Sequence, residues 1–61
     1  MSNQFDVKVK SSHEAYVVTC KDAGERNSVT TECVRDGHEH QPATEADQSL
    51  QRVDYLDWNP A

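Results

Sequence analysis

Thirteen large apolar side chains, running from Phe5 to Trp58, are all that a fold of this chain can be built around. Seven are valine and none is isoleucine. In a chain of 61 residues this supports one small domain, spanning 1–61, and no second. So short a chain buries only about 60% of the surface its unfolded form exposes, so its stability is marginal. Such a core has little left over to wall an enclosed pocket, which argues against an autonomous enzyme.

The apolar residues fall into patterns. In "FDVKVK", Phe5, Val7 and Val9 alternate with Asp6, Lys8 and Lys10, the period of a half-buried strand. "SSHE" follows as a turn in which Ser11 and Ser12 can bond their own backbone. "AYVVTC" is β-branched and aromatic and reads as a second strand. "KDAGERN" carries turn residues, and "SVTTECV" reads as a third strand. Pairing the last two strands puts Tyr16, Val18 and Cys20 on one face with Val29, Thr31 and Cys33. Lys8 and Lys10 would then stand on the solvent side of the first strand, guarding its edge.

"RDGHEHQPATEADQ" is polar, and its first half reads as a loop. A helix can start at Thr44, with Glu45 in its first turn and Asp47 three residues on. Ala46, Leu50, Val53 and Leu56 would form its apolar stripe, and Asn59-Pro60 would end it. The competing reading is a strand over Gln51–Trp58 with Val53 and Tyr55 on one face. The expected fold is α+β. It is a three-stranded antiparallel meander (about residues 4–10, 14–21 and 28–35) with a C-terminal helix packed on one face. The alternative is an all-β domain with a fourth, C-terminal strand.

Charge narrows the function. Residues 1–35 carry five cations and five carboxylates, whereas residues 36–61 carry Arg52 against six carboxylates, so the net charge of −5 lies wholly after Arg35. Direct nucleic-acid binding needs Lys and Arg to displace counterions and is not expected. A basic protein surface is the complementary partner. Asp54, Tyr55, Asp57 and Trp58, with Glu45 and Asp47, are the candidate partner-binding residues, because Trp and Tyr anchor interfaces. No membrane-spanning run and no signal peptide is evident, so a cytoplasmic location is expected. The resulting expectation is a small acidic regulator or inhibitor, of the kind phages and mobile elements use against nucleic-acid-handling proteins. A structural subunit that completes its core as a homodimer is a further reading.

The other chemical candidate is "CVRDGHEH". Cys20, Cys33, His38 and His40 supply the four ligand types zinc takes, which makes a zinc-stabilised module the alternative function. The spacing lacks the tight Cys-x2–4-Cys knuckle, and both cysteines fall within strands facing the core. A Cys–His nucleophile would need exposure and an electropositive setting that such a cysteine lacks. Gly24 and Gly37 are too few and too far apart for a phosphate-binding loop. No cofactor is expected. Elemental analysis of the purified chain should therefore find no stoichiometric metal, and chelator should leave its thermal melt unmoved. About one zinc per chain, or collapse on chelation, would make these four residues a site after all.

Overall fold

Alternation does what it promises at the start of the chain. Phe5–Lys10 (β1) and Ala15–Cys20 (β2) pair antiparallel, with Val7 opposite Val18, Val9 opposite Tyr16 and Phe5 opposite Cys20. Ser11 closes the hairpin as its composition suggested. Its Oγ accepts from the His13 and Glu14 N–H groups, and its own N–H donates to the Glu14 carbonyl at 2.8 Å. The computed structural model describes residues 4–59.

Beyond Cys20 the expected meander fails. The third strand over 28–35 is instead the middle of helix α1, Ala23–Asp36. The Asp22 side chain caps the first turn by accepting from the Glu25 N–H at 2.9 Å, and Glu25 reaches back to the Lys21 N–H at 2.9 Å. Gly37, at φ 73°, ends the helix. Its N–H donates to the Val34 carbonyl, and the His38 N–H donates to that of Cys33 at 2.8 Å. That is the paired closure a left-handed glycine permits. The β-branched run inside loses to these two ends. Val29 and Cys33, one helical turn apart, are the side chains that α1 buries fully.

The region expected as loop supplies β3, Glu39–Pro42, and the expected C-terminal helix shrinks to one 3₁₀ turn, Glu45–Ser49. The alternative of a strand there is the better description, because Gln51–Asp54 forms β4, followed by a second 3₁₀ turn at Tyr55–Asp57. A helix through Val53 would have left Val18 without its neighbour; as a strand, β4 sets Val53 beside Val18. The expected stop at Asn59-Pro60 falls partly outside the described residues.

The result is an α+β domain on a mixed four-stranded sheet of order β3-β1-β2-β4. β1 is antiparallel to both β2 and β3, whereas β4 is parallel to β2. β2, β3 and β4 thus run the same way, joined by two crossovers. The first, through α1, moves from β2 past β1 to β3. The second, residues 43–50, returns across the whole sheet to β4. Crossovers between parallel strands keep one hand. Two that travel in opposite directions can share a hand only by lying on opposite faces, and they do. Val7, Val9, Val18 and Cys20 pack with Val29 and Cys33 beneath α1. On the other face the second crossover forms a strap over Val17, which is 1% exposed.

Polar side chains fasten the strap. Asp47 is 6% exposed and pairs with Lys8 at 3.2 Å, while its Oδ2 accepts from the Thr44 N–H at 2.8 Å and the Thr44 hydroxyl at 3.1 Å. Arg52 donates to Asp6 at 2.9 Å, Thr19 at 3.2 Å and Gln48 at 2.7 Å, linking β4, β2, β1 and the strap. Lys8 is therefore no edge guard: β1 is a central strand and Lys8 is engaged under the strap. The guard is Pro42. The Ala43 N–H donates inward to the Asp6 carbonyl at 2.9 Å, so by alternation residues 40 and 42 face outward from β3. Proline has no N–H to offer there, which blunts the edge.

The strap gives an acid limb to stability. The Thr44 N–H, then Lys8 and the Thr44 hydroxyl, hold the Asp47 carboxyl below its ordinary value against the opposing effect of burial. At Asp6, burial raises the value, but hydrogen bonds from Gln4 and Arg52 and the Arg52 charge outweigh it and leave it lowered. A carboxylate with a lowered folded value stabilises above its unfolded value, about pH 4, and that contribution disappears as pH falls through the folded one. Thermal melts should thus hold level near neutrality and fall steeply below about pH 4. Asp47→Asn should lower Tm by several degrees at neutral pH and flatten the acid limb. An Asp47→Asn melt superimposable on the parent at every pH would remove the strap from the stability argument.

Candidate functional site

A 3₁₀ turn repeats every three residues, so side chains three apart eclipse. In the second turn this sends Tyr55 and Trp58 to the core and leaves Leu56 and Asp57 outside. Asp54 sets the turn: its Oδ2 accepts from the Leu56 N–H at 3.0 Å, and the Trp58 N–H donates to the Tyr55 carbonyl at 3.1 Å. The Tyr55 and Trp58 rings lie 6.2 Å apart, tilted by 34°, and both remain half-buried. The Trp58 Nε1–H donates to the Tyr16 hydroxyl at 3.0 Å, which fixes the indole against β2. Leu56 is 80% exposed, the most exposed large apolar side chain among the described residues.

The six residues expected to bind a partner are thus divided. Asp54, Tyr55, Asp57 and Trp58 sit together. Glu45 and Asp47 belong to the strap on the opposite face of the sheet, and Asp47 is spent on Lys8 and Thr44. Leu56 was overlooked as a contact residue because the expected helix placed it on the apolar stripe. Only the three-residue period of the turn reveals that it faces out.

Two open grooves flank Trp58. One, of about 430 Å³, is bounded by the Ser11–Glu14 turn, Tyr16, His38, Val53, Asp57 and Trp58. The other runs between α1 and the second 3₁₀ turn, past Asn27, Thr31, Glu32, Tyr55 and Trp58. Nothing in the sequence pattern linked His13, Glu14 and His38 to residues past 50; the chain brings them together only through the hairpin and the end of α1.

Cys20 and Cys33 are both free and fully buried in one core cluster, as expected, although Cys33 reaches it from the helix rather than from a strand. Burial, reinforced by the carboxylates of Glu25, Asp6, Asp22 and Asp54, pushes the Cys20 thiol up to about 11. Burial, with Asp36 and Glu32, raises Cys33 as well. Both thiols are therefore held in the neutral form near pH 7. His38 is half-buried beyond the helix end and His40 is exposed on β3. Among the described residues no group of three or more His, Cys, Asp or Glu is placed to hold a metal ion, and no helix is long and apolar enough to cross a membrane.

Comparison with family models, curated proteins and solved structures found no match to this chain. The functional reading therefore rests on the geometry above. The thiol placement is directly testable. A thiol-reactive probe should label both cysteines slowly in the native protein and rapidly in denaturant, because reaction needs exposed thiolate. Fast native labelling of either one would show that its side chain leaves the core.

Proposed function

We propose that this chain is a non-catalytic, cytoplasmic protein-binding regulator or inhibitor that docks on a basic partner surface, such as that of a nucleic-acid-handling protein. The observation that carries the reading is Leu56. A chain this poor in large apolar groups holds one of its two leucines out in solvent, on a turn capped by Asp54 and ending in Asp57. Contiguous apolar area rimmed by polar groups marks interaction sites, and Leu56 follows directly on half-buried Tyr55. Half-buried Tyr55 and Trp58 supply rigid aromatic area beside it, the composition of binding hot spots.

Electrostatics supports the same direction. Among the described residues, Asp6, Glu25, Glu32 and Asp47 are neutralised by Arg52, Lys21, Arg35 and Lys8, whereas Asp54 and Asp57 take part in no ion pair. Carboxylates in that position steer a cationic surface toward Leu56, competing with phosphate for the same Lys and Arg side chains.

The test separates contact from steering, and must spare Asp54, whose carboxylate is structural. Partner captured from a source lysate and identified by mass spectrometry provides the ligand. Leu56→Ser should weaken its binding by about tenfold, the scale of one hot-spot residue, with Tm unchanged. Asp57→Lys should slow association and reduce its dependence on salt. Unaltered affinity in both variants would make this turn an ordinary solvated surface.

A further inference from the structure

The groove between the hairpin turn and the second 3₁₀ turn has a chemistry of its own. Glu14 and Asp57, two carboxylates far apart in sequence, both line it. Among the described residues neither takes part in an ion pair, and no Lys or Arg lines the groove. The cations are committed elsewhere: Lys8, Lys21, Arg35 and Arg52 to carboxylates, and Arg26 to the Phe5 ring, 4.7 Å from its centroid. Among the lysines and arginines of the described residues only Lys10 is left, and it stands across from Glu39 on the β3 side of the sheet. Trp58 lines the same groove, its indole tied by a bond to the Tyr16 hydroxyl.

We infer that this groove receives an arginine side chain of the basic partner. The inference deepens the reading given under Proposed function and rests on it. A guanidinium is flat, weakly hydrated and always charged, so it stacks on an indole face while donating to carboxylates at its edges. The Trp58 ring offers the platform, and Glu14 and Asp57 offer the acceptors. The Ser12 hydroxyl and the side chains of His13 and His38 also line the groove and add polar groups beside the carboxylates. A phosphate or carboxylate ligand would meet two like charges and no cation. An apolar ligand would strip both carboxylates of water without compensation.

The chain contains one tryptophan, so its indole N–H is a single, assignable reporter in the groove. Titration of the ¹⁵N-labelled protein with N-acetylarginine amide should shift that signal and the amides of residues 12–14 and 57–58 along one saturable curve. N-acetylcitrulline amide, the neutral isostere, should leave them unmoved. The double variant Glu14→Gln with Asp57→Asn should weaken arginine amide by about fivefold, the ordinary effect of losing two exposed ion pairs, with an unchanged melt. Glu45→Gln, a carboxylate on the strap, should change nothing. Equal shifts with citrulline amide, or shifts spread over every carboxylate without saturation, would overturn the inference. The two proposals fail separately. Partner binding lost in Leu56→Ser but kept in the double variant would preserve the Leu56 contact and abolish the arginine groove. Saturable arginine binding with a partner indifferent to Leu56→Ser would do the reverse.

Discussion

Asp47 works in three places at once. Its carboxylate accepts from the Thr44 backbone and hydroxyl, shaping the first 3₁₀ turn, and the same group holds Lys8 of the central strand. The second crossover has to return across the full width of the sheet, and an eight-residue connection cannot do that and also bring a large apolar face of its own. Ion pairing and hydrogen bonding take the role that packing plays under α1. That anchor works alongside the ladder of β4 with β2, the Arg52 bonds and the Trp58–Tyr16 bond, which hold Val53, Tyr55 and Trp58 in place.

The helix face shows how little apolar material suffices when it is placed well. Val7, Val9, Val18, Cys20, Val29 and Cys33 make up the buried cluster, with Phe5, Tyr16, Tyr55 and Trp58 closing its margins. Fully burying such a side chain contributes about 1.5–3 kcal/mol, so the loss of one is a large fraction of a small domain's stability. This explains why the aromatics of the candidate binding turn cannot be read as binding residues alone. Tyr55 and Trp58 are half structural, and in the proposed docking the burden of recognition falls on the neighbours that the core does not use, Leu56 and Asp57.

The hairpin was legible because alternation is a local property, and Phe5–Lys10 and Ala15–Cys20 display it fully. The helix was also written in the chain, in Asp22, Glu25 and Gly37, but "SVTTECV" between them carries the composition of a strand. Val29 and Cys33 could not arbitrate, since a spacing of four is both an even number and one helical turn. Thr31 is where the two readings part: a strand would bury it, and the helix exposes it. β3 was illegible for a different reason. All four of its residues are exposed, so no apolar period marked it, and only pairing with β1 makes it a strand. At the site, Asp54, Tyr55, Asp57 and Trp58 stayed together because they are contiguous, whereas Glu14 could join Asp57 only through the tertiary fold.

The parallel pairing of β4 with β2 also closes the longest loop of the sheet. β1 and β2 are joined by a short turn and α1 follows directly, so these contacts close small loops. β4 must find β2 from the far side of the strap, with Tyr16 meeting Gln51. Long loops are the slow step, because their closure entropy is lost before any contact offsets it. The turn that displays Leu56 lies beyond β4, so it acquires its shape only when this last pairing is made. A chain caught halfway, with hairpin and helix in place but β4 adrift, would present no ordered turn at Leu56, so the proposed recognition would depend on completed folding.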